Sequence, residues 1–424
     1  MDNDQTSTFS YDGEGVPDKF NVSQLKLVVD RYFMEDCRLV KLAEGGYHKV
    51  YNVIRGDGVP LDAVVRVACP AFPRDKLESE VATYRFLTAF TKLPVPRIHA
   101  WNSDASNPVG AEYMIMDRIP GIPASMKWDS LSEEAKKNVV SQIAHHLLAL
   151  FSLRFERAGS LYLDLTAAKF YVGPIVSTPF YRALDGFVRT PDIPISHNID
   201  PNRGPFSTVS EYLSSFLKAE LEFVSLHRSL ALLEVQDSNA PSPESRLEQG
   251  RRVIEKAIEL CLVYPGDIPV LGKYSHPEMP FGLKLNDFRL SNVMIDENSG
   301  RVTGFIDFEG ATTAPLWECA IIPRWLQEPD DPESSYEGGS PEARSALRAV
   351  FLTTVQGTVQ GKEWCHAYKA GRPFRQLVDR LNFQVNVWAD LEEWVVDRLD
   401  WAQKYPGVGL SEEIRSEPNS PVVS

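Results

Sequence analysis

The chain opens its ordered pattern at Gln24 to Phe33 (QLKLVVDRYF), where apolar side chains recur at helical spacing. The pattern then changes. CRLVKLA, HKVYNVIR and AVVRVA are rich in β-branched residues and are parted by EGG and GDG turns, which predicts three strands. Arg74 to Thr91 (RDKLESEVATYRFLTAFT) sets Leu77, Val81, Tyr84 and Leu87 on one helical face. After KLPVP come two further strands, RIHAW and AEYMIMD, and a PGIP turn closes this portion near Pro123. The pattern beyond is mostly helical. One long helix is expected over Leu131 to Phe155, opened by SEEA, with others over Val209 to Leu233, Glu244 to Leu262, and within Pro341 to Ala370 and Arg375 to Lys404. Between them LKLNDFRLSNVMID and RVTGFIDFEG, joined by DENSG, form a β-island. EPDDPESSYEGGSPE reads as an acidic loop and SEEIRSEPNSPVVS as a disordered tail.

This order is a small sheet with one helix, a hinge, and a large helical portion carrying a hairpin, unlike the strand–helix alternation of most α/β folds. It divides the chain into a flexible start at 1–20, an N-terminal lobe at 21–118, a C-terminal lobe at 119–410 and a tail at 411–424. The 424 residues, 43% hydrophobic, suffice for a sizeable core. Forty-four basic against 58 acidic side chains leave a net charge of −14, which argues against nonspecific binding to nucleic acid or to anionic membranes. The same acidity admits a cationic small molecule. Five scattered cysteines form no CxxC pair or Cys/His cluster, so neither a zinc site nor a disulfide framework is expected. The N-terminus lacks the apolar run of a signal peptide and no apolar stretch spans a bilayer, from which a cytoplasmic location is expected.

Three groups of residues could carry chemistry. Gly45 and Gly46 lie between two strand patterns, where paired glycines let backbone amides approach phosphates; a plain hairpin turn is the other reading. Arg66 interrupts an apolar strand, so it needs a partner or an anionic ligand unless it lies on an exposed edge. Glu80 on the next helix can pair with it, and Glu78 competes from a different helix face. Asp287, Asn292 and Asp307 supply a carboxylate near an acceptor hydroxyl and two oxygen ligands for Mg²⁺, as phosphoryl transfer requires; ordinary polar hairpin ends are the alternative.

At these residues the chain resembles the aminoglycoside phosphotransferase family, particularly its fungal branch. LAEGGYHKVYNV, AVVRVACP, SEVATYRFL, LPVPRIHAW, NPVGAEYMIMDRIPG, GSLY, GPFSTVSEYL, LSNVMID, TGFIDFEGA and PLWECAIIPRWL occur in the family's order from about Leu42 to Trp325. The resemblance implies an α+β, bilobal protein-kinase-like fold, with a small antiparallel-sheet N-lobe bearing one helix and a larger, mostly helical C-lobe. It implies ATP and Mg²⁺ as cofactors and a small-molecule hydroxyl acceptor. Gly45 and Gly46 then cover the nucleotide, Arg66 stands for the strand lysine, and Glu80 is its helix partner. Met116, Asp117, Arg118 and Ile119 form the hinge beside adenine, Asp287 is the catalytic aspartate, and Asn292 and Asp307 are the metal ligands. Arg289 falls where protein kinases carry a lysine near the transferred phosphate; a surface arginine is its other reading.

Two departures stand out. The family often has His-Gly-Asp or His-Pro-Asp where this chain has Leu285-Asn286-Asp287, so a supporting histidine is missing. Arg66 presents a wide fork in place of a compact ammonium, although arginine is familiar there in the fungal branch. A noncatalytic nucleotide-binding scaffold on the same fold is the competing reading. A protein kinase fits less well, because PLWECA follows Asp307 and no APE-like segment does. His145 and His146, adjacent on one helix, cannot share a face for a metal. Trp388, Trp394 and Trp401 at helical intervals read as core before they read as an aromatic cage, and Asp390, Glu392, Glu393 and Asp397 read as a solvated acidic face.

Overall fold

The computed structural model describes residues 6–8, 19–45, 48–68, 72, 74–181, 202–236, 242–327 and 339–410. The expectations for Gly46, most of the first twenty residues, the acidic loop at 328–338 and the tail at 411–424 lie outside the described residues.

Asn21 accepts from the Gln24 amide at 3.0 Å and so starts helix α1 (Val22–Phe33). The β-branched runs become β1 (Cys37–Glu44), β2 (His48–Arg55), β3 (Pro60–Ala68), β4 (Ile98–Asn102) and β5 (Tyr113–Asp117). They pair antiparallel in the order β1-β2-β3-β5-β4. β3 is therefore central, and Arg66 within it is buried rather than on an exposed edge. Helix α2 (Asp75–Phe90) follows, with Leu77, Val81, Tyr84 and Leu87 buried as its spacing predicts. Lys76 and Glu80 are equally buried, because α2 also packs on a second sheet.

That second sheet was not anticipated in full. β7 (Gly159–Asp164) and β8 (Lys169–Gly173) form a hairpin that joins β9 (Phe281–Lys284) and β12 (Thr312–Pro315) in the order β8-β7-β12-β9. Helix α3 (Glu133–Phe151), capped by Ser132, stops short of Phe155, which pairs instead with Phe281. The helix expected over 209–233 divides at His227, whose φ of −121° and ψ of 43° leave the helical region. It becomes α4 (Val209–Leu226), opened by a Thr208/Glu211 capping box, and α5 (Arg228–Glu234). Helix α6 (Pro243–Cys261) follows. Toward the C-terminus α7 (Pro341–Gln356) ends at Gly357 and α8 (Gly361–Arg380) begins anew, so the boundary between the two expected helices shifts. A Cβ at Gly361 would lie 1.9 Å from the Val355 carbonyl oxygen, so the chain turns tightly there. Helix α9 (Glu392–Lys404) closes the described chain. No described helix is long and apolar enough to cross a membrane.

The segment between the two lobes is itself paired. β6 (Ile122–Pro123) adds to the hairpin of β10 (Val293–Ile295) and β11 (Val302–Phe305) in the order β11-β10-β6. Gly121, at φ 102°, allows the approach, since a Cβ there would meet the Ile295 carbonyl oxygen at 2.2 Å. Phe305 N donates to Pro94 O at 2.8 Å, and Gly304 lies against Ile119. The hairpin expected to carry the metal ligands is thereby fastened to the interlobe connection.

Candidate active site

Lys76, Glu80 and Tyr84 recur every fourth residue and form one stripe of α2. Each meets the segment Asp307–Glu309, directly or through Arg66. Arg66 Nη1 is ion-paired with Glu80 Oε1, and Nη2 donates to Asp307 Oδ1 at 2.7 Å. The Asp307 amide donates to the Tyr84 hydroxyl at 2.9 Å, and Lys76 Nζ lies 3.6 Å from Glu309 Oε1. Glu78 turns elsewhere, to Arg74 and Ser103, so the competition for Arg66 resolves in favour of Glu80. Burial opposes the charge of Arg66, but Glu80, Asp307 and the other acidic neighbours outweigh it and raise its pKa. Burial likewise pushes the Glu80 carboxyl upward while Arg66 pulls it down; a guanidinium that keeps its proton holds the pair ionised.

His48 and Glu309 complete this cluster, and sequence reasoning missed both along with Lys76. His48 Nδ1 lies 2.9 Å from Arg66 Nη2, and its Nε2 lies 3.3 Å from Glu309 Oε2. Burial, reinforced by Arg66 and Lys76, drives the His48 pKa well below the usual value, so the ring is neutral. His48, Glu80 and Glu309 place ligand atoms within 4.8 Å of one another. A cation between them would face Arg66 at hydrogen-bonding range, so the guanidinium already serves as their counter-charge.

The catalytic-loop candidates lie on the stretch between β9 and β10. Asp287 is half-buried and accepts a hydrogen bond from Nε of the exposed Arg289, so Arg289 is a surface arginine turned to this carboxylate. Asn292 is buried; its Nδ2 donates to the Asp287 carbonyl at 2.8 Å, so the carboxamide oxygen is the side-chain atom available to a cation. Ile306 N donates to Asn292 O at 3.0 Å and brings Asn292 beside Asp307. Asp307 has φ 66°, the left-handed region that few side chains tolerate but aspartate does. A carboxylate and a carboxamide oxygen on neighbouring strand ends fit a hard cation such as Mg²⁺.

The remaining predicted residues line the connection and the first turn. Gly45 N donates to His48 O at 2.9 Å and its Cα faces open space. Met116 is buried between β3 and β4. The Asp117 carboxylate engages Arg97 and His99 at 2.9 and 2.8 Å. The amides of Asp117 and Arg118 donate to Arg97 O and Asp62 O, whereas the Ile119 amide has no protein partner among the described residues. Elsewhere the bland readings hold. Trp388 is fully buried, and Trp394 has Arg398 and Arg380 over its ring at 4.0 and 4.5 Å, so the chain's own cations occupy it. Asp390 and Glu392 pair with Arg246 and Lys256.

The model of the phosphotransferase enzyme family, known as APH, matches residues 39–336. A subtelomeric hrmA-associated cluster protein of Aspergillus fumigatus is 29% identical over 74% of this chain and 67% of its own length. The protein named altered inheritance of mitochondria protein 9, mitochondrial, is 26% identical in Clavispora lusitaniae and 34% in Candida dubliniensis, each over 66% of this chain. The chain spans about half the length of these two relatives, 48% and 47%. Among solved structures, the streptomycin–ATP complex of APH(2'')-IIa aligns with 91% of this chain and 97% of its own at a TM-score of 0.46 and 14% identity. The ternary complex of APH(4)-Ia with AMP-PNP and hygromycin B covers 90% and 98% at 0.42 and 16%. The family match runs from the first strand of the N-terminal sheet to beyond Asp307, so the chain belongs to the phosphotransferase enzyme family.

Proposed function

We propose that the protein is an ATP- and Mg²⁺-dependent phosphotransferase that moves the γ-phosphoryl group to a hydroxyl of a small molecule. The observation that carries this reading is the junction of buried Arg66 and Glu80 with half-buried Asp307, drawn from three segments with Arg66 and Asp307 241 residues apart. Desolvating charges costs stability that an apolar cluster of the same volume would not, which favours a binding role for the junction over a packing one. Residues 21–118 would hold the nucleotide and 119–410 the acceptor. Arg66 and the turn at Gly45 would face the phosphates, and the Ile119 amide would be the donor to the adenine edge. Mg²⁺ would supply charge neutralisation on the phosphates, held by Asn292 Oδ1 and Asp307. Asp287 would orient the acceptor hydroxyl and take its proton, with Arg289 steering the carboxylate.

A cavity of ≈570 Å³ opens beside this loop, lined by Leu285, Asn286 and Phe288 and by charges of both signs. Lys284, Arg324, Arg375 and Arg380 line it together with Glu318 and Asp379, and Lys284 is ion-paired with Glu318, so the space suits a polar, hydroxylated acceptor and does not select for a cation. Calorimetric binding of Mg-ATP, combined with ATP turnover against a panel of hydroxylated metabolites, tests the reading. Binding with acceptor-dependent turnover is expected. Absence of Mg-ATP binding overturns it, and tight binding without turnover on any acceptor supports the noncatalytic scaffold that Leu285 suggests.

A further inference from the structure

Arg66 Nη2 carries two hydrogens but has three acceptors around it: Asp307 Oδ1 at 2.7 Å, His48 Nδ1 at 2.9 Å and Glu309 Oε2 at 3.5 Å. A guanidinium only donates, so His48 Nδ1 must accept, and the ring proton therefore resides on Nε2. That nitrogen lies 3.3 Å from Glu309 Oε2, near it but outside hydrogen-bond geometry. Glu309 is in turn held from behind by Lys76, 3.6 Å from its other oxygen. His48 belongs to β2, and Asp307 and Glu309 to the segment after β11, so two elements converge on one nitrogen of Arg66, with Lys76 of α2 reaching Glu309.

We propose that His48 and Glu309 form a second brace for Arg66, which takes over Nη2 when metal draws Asp307 away, with Lys76 anchoring Glu309. The proposal rests on the phosphotransferase reading and concerns positioning residues, since neither side chain need touch the nucleotide. A cation held by the Asp307 carboxylate would compete with Arg66 for its negative charge and weaken the bond that Oδ1 accepts from Nη2. Without a further acceptor, the fork would then be held only by Glu80 at Nη1 and His48 at Nη2, with one Nη2 hydrogen weakly bonded. Glu309 lies a few tenths of an ångström beyond hydrogen-bonding distance and is the replacement, while His48 keeps the guanidinium plane fixed throughout. A lysine, being a point charge, has no plane to fix. The brace accounts for an arginine at this strand position.

The test uses the full chain, a non-hydrolysable ATP analogue and calorimetry with and without Mg²⁺. Glu309→Gln and His48→Leu are each expected to weaken the Mg-dependent affinity about tenfold, and His48→Gln, which can still accept and donate, to recover most of it. In an Arg66→Lys background the same changes are expected to alter affinity less than twofold. A tenfold loss that persists there means the residues act directly on metal or fold, and overturns the brace. Imidazole ¹⁵N spectra of the free protein, assigned with His48→Gln, are expected to show His48 neutral with its proton on Nε2; a proton on Nδ1 overturns the brace even if no nucleotide binds. Failure of the wild-type chain to bind Mg-analogue would instead overturn the phosphotransferase reading, and leaves the spectra to decide the brace.

Discussion

Asp307→Asn separates a metal ligand from a structural carboxylate. In the free protein Arg66 and Lys76 face Glu80, Asp307 and Glu309, two cations against three carboxylates, with His48 neutral. The cluster thus carries one negative charge in excess, which is a reason for it to accept a divalent cation. Asparagine keeps the shape of the side chain and tolerates the φ of 66° that Asp307 adopts. What is lost is the charge in its hydrogen bond to Arg66. The Asp307 side chain is 35% exposed, so solvent screening reduces that bond to about 1 kcal/mol. Relief of repulsion from Glu80 and Glu309 is of similar size and opposite sign. The apo variant should therefore melt within a few degrees of the wild type.

Binding should respond in opposite directions with and without metal. In Mg²⁺, replacing the one charged protein ligand by a neutral carboxamide is expected to weaken an ATP analogue about 100-fold, or about 2.7 kcal/mol. In EDTA the bare polyanion meets one negative charge fewer and should bind the same or about threefold tighter. Calorimetry under both conditions, with thermal denaturation alongside, measures all three quantities. An equal loss in EDTA would show that Asp307 acts only through Arg66. Unchanged binding in Mg²⁺ would remove it from the metal site, and destabilisation by more than about 3 kcal/mol would make it chiefly a structural residue.

Other substitutions probe the loop, the connection and a buried acid. Asp287→Asn should lower turnover by about two to four decades while nucleotide affinity, measured by calorimetry, stays within threefold; near-normal turnover removes Asp287 from the mechanism. Gly121→Ala puts a Cβ 2.2 Å from the Ile295 carbonyl at φ 102° and should cost more than about 3 kcal/mol by thermal denaturation, whereas Gly58→Ala, at φ 89° in open space, should cost about 1 kcal/mol. Glu112 is buried, and burial pushes its carboxyl up to about 7 from the ordinary 4.5. Such a group stabilises the fold fully below the unfolded value and loses that contribution as pH rises from 4.5 to about 7, a change of about 3 kcal/mol. Glu112→Gln should therefore be more stable than the wild type at pH 8 by about 1–2 kcal/mol, after the cost of a buried amide, and not at pH 4.5; an equal difference at both pH values refutes the assignment.

The parts of the site legible in the sequence are those where a residue type conflicts with its surroundings. A cation inside AVVRVA demands an acceptor, and Glu80 one helix later answers it. Asn292 and Asp307 follow Asp287 at spacings that place them at the ends of paired strands, and the register of β10 on β11 bears this out. Lys76, His48 and Glu309 sent no such signal. Each is an ordinary polar residue locally, and its meaning comes only from contact with a segment more than 200 positions away. A signal did exist in α2, where Lys76, Glu80 and Tyr84 fall on one stripe, but it is hidden because the apolar stripe beside it is equally buried. The β7–β8 hairpin was missed for a different reason. Its two strands carry Asp164 and Lys169 at their ends and expose much of β8, so the apolar alternation is weak.

Leu285 stands where the family often carries a supporting histidine, and its surroundings show why restoring that histidine should do harm. Leu285 is half-buried between a small apolar cavity, shared with Leu147, Leu150, Phe151, Leu283 and Ile321, and the larger cavity that Glu318 and Asp379 also line. The loop is fixed by other means. The Asn292 amide ties to Asp287 O, Ile306 N ties to Asn292 O, and Asn286 packs so closely on Gly310 that a Cβ there would lie 3.1 Å from its Nδ2. An imidazole that takes the leucine's place on the apolar side loses its hydrogen-bond partners there, at a cost of about 1–3 kcal/mol. Leu285→His is therefore expected to destabilise the protein by that amount in thermal or denaturant unfolding and to leave turnover unchanged or lower. A variant that gains turnover without losing stability would mean that the three remaining ties do not hold Asp287 in place, and that the chain lacks a support it still needs.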